Sequence, residues 1–321
     1  MKLLNGIKKK NGYNLHLYPV DIATIIYILI STIYICIGSS KLKNETPHFI
    51  IRLTILVFIF FISFTNDKYD NRALIFIRNF YPLFLLPYFY KETAYMNNII
   101  FNNLDPYFAH IEQLIFGCQV SIEFSKLFPQ KWFNELMNFG YFSYYFLTII
   151  VCFVVYLTNR TKSFKVIFIV ATSFYIYYII FSLFPVAGPQ FYFKESLAKI
   201  PDAYFFSDAV KFVQKIGEVP TGAFPSSHVG MALIFLYLSF KYSRKLFYYI
   251  LPIVIILCFS TVYIKAHYLI DVIAGMISSP IILYLSLMTY NKLEKFSKII
   301  NSESHYLLSY KRASSTDHIH Y

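Results

Sequence analysis

The sequence predicts an all-α fold, a polytopic transmembrane helical bundle of about eight spans, and three observations predict it. Hydrophobic residues make up 57% of the 321 positions and charged residues only 14%, whereas a soluble domain carries about a quarter charged. Apolar runs near the ~20 residues that a helix needs to cross a bilayer recur at 21–39, 48–65, 73–90, 136–157, 164–186, 223–240, 246–264 and 267–290. The chain also holds 30 Tyr and 35 Phe, rings suited to the wet-to-apolar boundary of a membrane. One large soluble core does not explain runs of spanning length that repeat along the chain.

Taken in order, the first run follows a basic start and extends from Ile22 to Gly38 without a small-x-small cleavage site. It reads as a retained anchor rather than a cleaved signal peptide. The run at 73–90 is the weakest, since it contains Arg78, Pro82 and Pro87. Between it and the next run lies a long segment, 91–135. Its stretch 107–128 is amphipathic, with Ile111, Leu114, Ile115 and Phe116 on one side, and is predicted to lie on the membrane surface. A second long segment, 187–222, leads into the first chemical motif. No internal repeat or low-complexity linker divides the chain. We expect an N-terminal cytoplasmic segment with two extra spans at 1–70, a catalytic membrane core at 71–290, and a polar cytoplasmic tail at 291–321.

Charge sets the orientation. With the N-terminus inside and every run crossing, seventeen of the 29 Lys and Arg residues fall inside, ten outside, and Arg52 and Arg78 within spans. The outside segments are the longer in total, so basic density places both termini in the cytoplasm. The same parity argues that 73–90 crosses. A net charge of +12 would suggest nucleic acid on a soluble protein. Here the basic residues sit in short connections, so no nucleic-acid partner is expected. Cys36, Cys118, Cys152 and Cys258 form no C-x-x-C pair and imply neither a disulfide framework nor a zinc site.

Two motifs carry chemistry. In GAFPSSHVG (222–230), Pro225, Ser226 and Ser227 stand where a helix should begin. Such a start leaves backbone N–H groups free to hold a phosphate, with His228 in the first turn. The plain alternative is an ordinary capped helix with one interfacial histidine. In YIKAHYLIDVIAG (263–275), His267 and Asp271 are four apart and share a helix face. An aspartate so placed can bind one ring nitrogen, fix the tautomer and raise the basicity of the other. The alternative is a structural ion pair heading the last span.

With Pro225-Ser226-Ser227-His228, then Ser260 and His267-x3-Asp271, the chain resembles the type 2 phosphatidic acid phosphatase (PAP2) superfamily. Its usual signatures are P-S-G-H and S-R-x5-H-x3-D. Ser227 replaces the glycine of the first, and Thr261 replaces the arginine of the second. The superfamily's K-x6-R-P signature has no clean match: Arg78 lies in RNFYP with Pro82 displaced from it. RNFYPLFLLPYFYKET (78–93) and FPVAGP (184–189) are similar to bacterial members of the inositol phosphorylceramide synthase and sphingomyelin synthase branch.

The resemblance implies a phosphohistidine enzyme. His267 would attack phosphorus, Asp271 would orient it, and His228 would protonate the leaving oxygen and then activate water or an alcohol. Ser226, Ser227, Lys265 and Arg78 are the candidate phosphate-binding residues. No metal and no other cofactor is expected, since no D-x-D carboxylate cluster adjoins the motifs. The implied partners are membrane lipids as substrates, with no obligate protein partner. The site is expected on the outer face of a cytoplasmic or plasma membrane. Thr261 and the apolar outer segments favour transfer of a phosphate-bearing head group. The alternatives are a simple lipid phosphate phosphatase and, more remotely, a non-catalytic transporter or scaffold.

Overall fold

The computed structural model describes residues 16–65, 72–194 and 202–316. The basic start with Lys2, Lys8, Lys9 and Lys10, the residues Lys68 and Lys199, and the end of the tail at 317–321 lie outside the described residues. Among the described residues the chain forms twelve helices: α1 Pro19–Gly38, α2 Thr46–Thr65, α3 Arg72–Tyr95, α4 Asp105–Phe116, α5 Val120–Leu127, α6 Lys131–Thr158, α7 Arg160–Leu183, the single turn α8 Pro189–Tyr192, α9 Phe205–Gly217, α10 Ser227–Tyr242, α11 Arg244–Tyr263 and α12 Leu269–Thr316. The predicted all-helical membrane bundle is the observed architecture.

Among the described residues six helices are long and apolar enough to cross a membrane: α1, α2, α6, α7, α11 and α12. The expected count of eight is therefore six by this measure. The shortfall has physical causes. α3 carries Arg78, Lys91 and Glu92 along its length, and α10 has only 16 residues.

α7 is the central post. Of its apolar window 78% is buried, against 28% for α2 and for α12, as expected of a helix that is apolar all round. α2 shows Leu53, Val57, Phe60 and Phe61 outward, a surface for lipid. Helix starts follow ordinary capping rules. Asn159 accepts the Lys162 N–H at the head of α7, and Asp21 accepts the Tyr18 N–H at the head of α1, where Pro19 needs no donor partner.

The two buried arginines are paired, as hydrocarbon surroundings demand. Arg52 meets Glu92 at 2.8 Å, and Glu92 also accepts from Tyr88 and contacts His48. Arg78 meets Asp21 at 3.1 Å, donates to the Ile62 carbonyl at 3.0 Å and lies 3.9 Å over the Tyr18 ring. The two pairs tie α1, α2 and α3 together.

The amphipathic stretch at 107–128 is two helices, α4 and α5. They are separated by Gly117, whose φ of +73° ends α4 in the left-handed region. α12 runs unbroken to Thr316, into the segment expected to be the polar tail. No proline or glycine follows Pro280 in that stretch to stop the helix.

Candidate active site

The two sequence motifs meet at one end of the bundle. His267 lies in the turn between α11 and α12, where Lys265 takes a left-handed φ of +66°. The His267 N–H donates to the Thr261 carbonyl at 3.1 Å. His228 sits in the first turn of α10, capped by Ser226 Oγ, which accepts the Val229 N–H. His228 Nδ1 and His267 Nε2 are 3.0 Å apart.

The protons of this pair follow from its partners. His267 Nδ1 is 2.8 Å from the Ala223 carbonyl. A carbonyl only accepts, so Nδ1 carries the hydrogen and Nε2 of the neutral ring is the bare nitrogen. His228 Nδ1 then donates to it. Burial pushes the His267 pKa down to about 4, although the Ala223 bond and the Glu218 charge both act in the other direction. The ring is therefore neutral at pH 7, with its lone pair facing His228.

Asp271 does not make the ring contact expected from the i, i+4 spacing. Its Oδ2 stands 3.6 Å from His267 Nδ1, beyond hydrogen-bond range, and accepts the Tyr268 N–H at 2.9 Å. Asp271 is thus the third residue of α12 and caps its start. The carbonyl that fixes the His267 tautomer comes from Ala223 instead. Asp271 joins the motifs in another way, because its own carbonyl accepts the Ser226 N–H at 3.0 Å. That bond uses one of the N–H groups proposed for phosphate. Ser227 and His228 keep first-turn N–H groups with no carbonyl four residues back to meet.

The histidines line a small cavity of about 20 Å³ with Tyr90, Tyr141, Gln190, Glu218, Thr221 and Ala223, room for about one water. His228 lies between Tyr141, with centroids 4.9 Å apart, and Tyr144, at 4.3 Å. Glu218 closes one wall. It accepts from Tyr141 Oη, from Tyr145 Oη at 3.2 Å and from Gln190 Nε2 at 2.6 Å. Among the described residues the lining includes no lysine or arginine.

The two basic candidates fall elsewhere. Lys265 is buried, and its carbonyl accepts the Gln190 N–H at 2.8 Å. Burial first, and then the charge of Lys126, lower its ammonium pKa. Lys265 adjoins the site through its backbone, and its side chain is not part of the cavity wall. Arg78 is at the far end of the bundle. It donates to the His16 carbonyl, and the next residue, Leu17, is bonded to Ser297 and Asn301 of α12. Ser297 lies 28 residues beyond Leu269, about 40 Å at 1.5 Å per residue. The expectation that Arg78 binds the phosphate is therefore corrected: it is the buried partner of Asp21.

Three residues that the motifs did not reveal hold the site. Glu218 precedes the first motif by a few positions. Asp105 and Glu112 on α4 bond to the loops that carry the site. The only local signal was an Asp-Pro helix start at Asp105 and a carboxylate inside an amphipathic stretch. Among the described residues no group of His, Cys, Asp and Glu could hold a metal ion.

The sequence profile of the PAP2 superfamily matches residues 109–285. That range contains His228, His267, Asp271, Ser226, Ser227 and Lys265 and leaves Arg78 outside. No curated protein and no solved structure matches the chain.

Proposed function

The chain belongs to the PAP2 superfamily, and on that premise we propose that it is a membrane enzyme that cleaves and transfers lipid phosphate esters through a phosphohistidine. Superfamily members are generally phosphatases and phosphotransferases. The observation that carries the reading is the 3.0 Å pair of His228 Nδ1 and His267 Nε2, with the other nitrogen of His267 fixed by Ala223.

His267 Nε2 attacks phosphorus as the ester P–O bond breaks, and His228, protonated once the negative phosphate beside it offsets its burial, gives its proton to the leaving alcohol oxygen. His228 then takes the proton of an incoming O–H, whose oxygen attacks phosphorus and breaks the N–P bond. Acid–base help of this kind is worth about 10²–10⁴-fold, and the covalent intermediate divides one hard step into two. The first-turn N–H groups of Ser227 and His228, with the imidazolium of His228, meet the phosphoryl charge. Asp271 acts by holding the head of α12. Because the cavity is water-sized, the two rings part to admit phosphorus.

Head-group transfer of the inositol phosphorylceramide synthase kind is our preferred form of the reaction. Thr261 in place of the phosphatase arginine supports it. So do the aromatic walls of the cavity, Tyr90, Tyr141 and Phe191, since a site that closes over its intermediate favours an alcohol over bulk water. A cavity wall that holds no lysine or arginine among the described residues suits a phosphodiester, which carries one charge rather than two. Eight crossings are part of the same proposal. α3 runs from Arg78 at one end to Tyr90 at the site, and α10 starts at the site and ends in Lys241.

The test is product analysis of the purified protein with a radiolabelled phosphodiester lipid, with and without inositol, glycerol, ceramide or diacylglycerol. Transfer requires that one acceptor raise donor turnover and yield a new phosphodiester. A phosphomonoester alone, the product when water takes the acceptor's place, at a rate indifferent to every acceptor, makes the protein a hydrolase. Donor turnover that survives His267→Ala removes the phosphohistidine.

A further inference from the structure

Helix α4 has two faces. Tyr107, Ile111, Leu114 and Ile115 are exposed, forming the apolar stripe of a helix lying on a membrane surface. Asp105, Ala109 and Glu112 are buried on the other side. Asp105 and Glu112 are seven apart, two turns, so their carboxylates point the same way. An acidic residue buried beside a membrane is costly unless it is paired, and both have partners in the catalytic loops.

Asp105 collects three donors. Oδ2 accepts the Ala187 N–H at 2.7 Å, while Oδ1 accepts the Gly188 N–H at 2.8 Å and Tyr268 Oη at 3.1 Å. Ala187 and Gly188 belong to the loop that follows α7, and Tyr268 adjoins His267. Gly188 has a φ of +96°, and a Cβ there would meet the Ala266 carbonyl at 2.5 Å, so this loop lies directly on the His267 turn. Glu112 Oε1 accepts the Leu269 N–H at 2.7 Å, which caps the start of α12 from outside that helix. Glu112 Oε2 and Asp271 Oδ1 are both buried without a partner among the described residues. Burial, with Asp271 adding to it and the Leu269 N–H opposing it, brings the Glu112 pKa up to about 7.

We propose that α4 is a positioning element for the reaction: Asp105 and Glu112 hold the turn that carries His267 against the 184–190 loop, so that the aim of the nucleophile depends on this surface helix. The proposal rests on the phosphohistidine reading. Neither carboxylate touches substrate; each acts through backbone groups next to His267. Loss of either lets the turn shift, and a displacement of about 1 Å at a reacting group costs up to about 10²-fold in rate. Binding of the lipid, set mainly by other contacts, changes little.

The two residues differ in what replaces them. Glu112 needs one acceptor oxygen, which glutamine supplies. Asp105 serves three donors with two oxygens, and asparagine would turn an –NH₂ toward one or two of them.

The experiment uses the full-length enzyme in lipid nanodiscs, with kcat and KM measured for Glu112→Ala, Glu112→Gln, Asp105→Ala and Asp105→Asn. Glu112→Ala should lower kcat about 10- to 100-fold with KM nearly unchanged. Glu112→Gln should restore most of it, and Asp105→Asn should not rescue Asp105→Ala. A wild-type kcat in Glu112→Ala, a change confined to KM, or a glutamine variant no better than alanine overturns the proposal. Should the alanine variants fail to fold, Tyr268→Phe removes a single donor from Asp105: a lower kcat at constant KM supports the clamp, and an unchanged kcat overturns it. His267→Ala is run in parallel. Activity there defeats the phosphohistidine reading itself, whereas an inactive His267→Ala beside a fully active Glu112→Ala defeats only the clamp.

Discussion

At His267 the tautomer decides the chemistry. With Nδ1–H held by the Ala223 carbonyl, Nε2 is the one nucleophilic atom the ring can offer. His267→Ala should abolish phosphoenzyme formation while the protein still inserts, read by acid-quench trapping of label from a lipid donor. His228→Ala should still form phosphoenzyme from a nitrophenyl ester, whose leaving group needs little acid help. Equal loss with lipid and nitrophenyl donors removes His228 from the role of acid. The same burial makes a stability prediction. The ring titrates at about 4 in the folded protein and at about 6.5 when unfolded. Between those values the unfolded chain binds more protons, so stability rises with pH and is lost as pH falls through that window. The slope approaches about 1.4 kcal/mol per pH unit for one such group. The unfolding midpoint in detergent should therefore drop from pH 6.5 to 4.5, and the drop should shrink in His267→Gln. An identical drop in the variant assigns the effect to other groups.

Helices α10 and α12 bring the histidines together only because they start side by side. Gly275 is where they touch: a Cβ there would lie 2.6 Å from the Ser226 carbonyl. That contact is with backbone, so no rotamer change relieves it. Gly275→Ala should push the helix starts apart, at about 1–3 kcal/mol of overpacking, and lower kcat by about tenfold. Wild-type kinetics and thermal midpoint would show that the starts can separate freely. α1 and α3 give the opposite case. Arg78→Met leaves Asp21 buried without its partner, at about 3–5 kcal/mol, yet the folded fraction should keep its kcat, since Arg78 lies far from the histidines. A folded but inactive Arg78→Met would return the arginine to the chemistry. These elements also explain what could be read from the sequence. His228, His267 and Asp271 could be singled out as candidates because each falls at or just before a helix start within a short local pattern. The bundle was legible because apolar run length is local too. Asp105, Glu112 and Glu218 were not, since their partners Gly188, Leu269 and Gln190 are set by tertiary packing rather than spacing. Arg78 was misread because an arginine near a proline imitates a phosphate signature, while its partner Asp21 lies 57 residues away. Asp271 was half legible: its place on the face of His267 was visible, but not that a backbone carbonyl would take the ring nitrogen.

Across the whole molecule the two ends are chemically different. At one end Arg78, Tyr18, Leu17 and Ser297 gather, and Lys165 lies 4.6 Å over the Tyr290 ring. At the other end are the histidines, Glu218 and the surface helix α4. The first end sits among the basic connections at Arg160, Lys162, Lys241, Arg244 and Lys245, and on the positive-inside rule we propose that it faces the cytoplasm. This orientation requires α3 and α10 to cross although neither is long and apolar enough by itself. α10, at 16 residues, spans about 24 Å, somewhat less than the ~30 Å of hydrocarbon. On this proposal Phe224 and Pro225 ahead of α10 and a snorkelling Lys241 near its end make up the shortfall. Single cysteines in a background lacking Cys36, Cys118, Cys152 and Cys258 test the arrangement with a membrane-impermeant maleimide. Cysteines at Lys165 and Lys241 should be protected in sealed cells and react after permeabilisation, while those at Lys126 and Asp202 should react from outside. Labelling at Lys241 but not at Lys165 would mean that α10 does not cross. Labelling at both, with Asp202 protected, would invert the protein and turn the histidines toward the cytoplasm, where they would meet a different pool of phosphate esters.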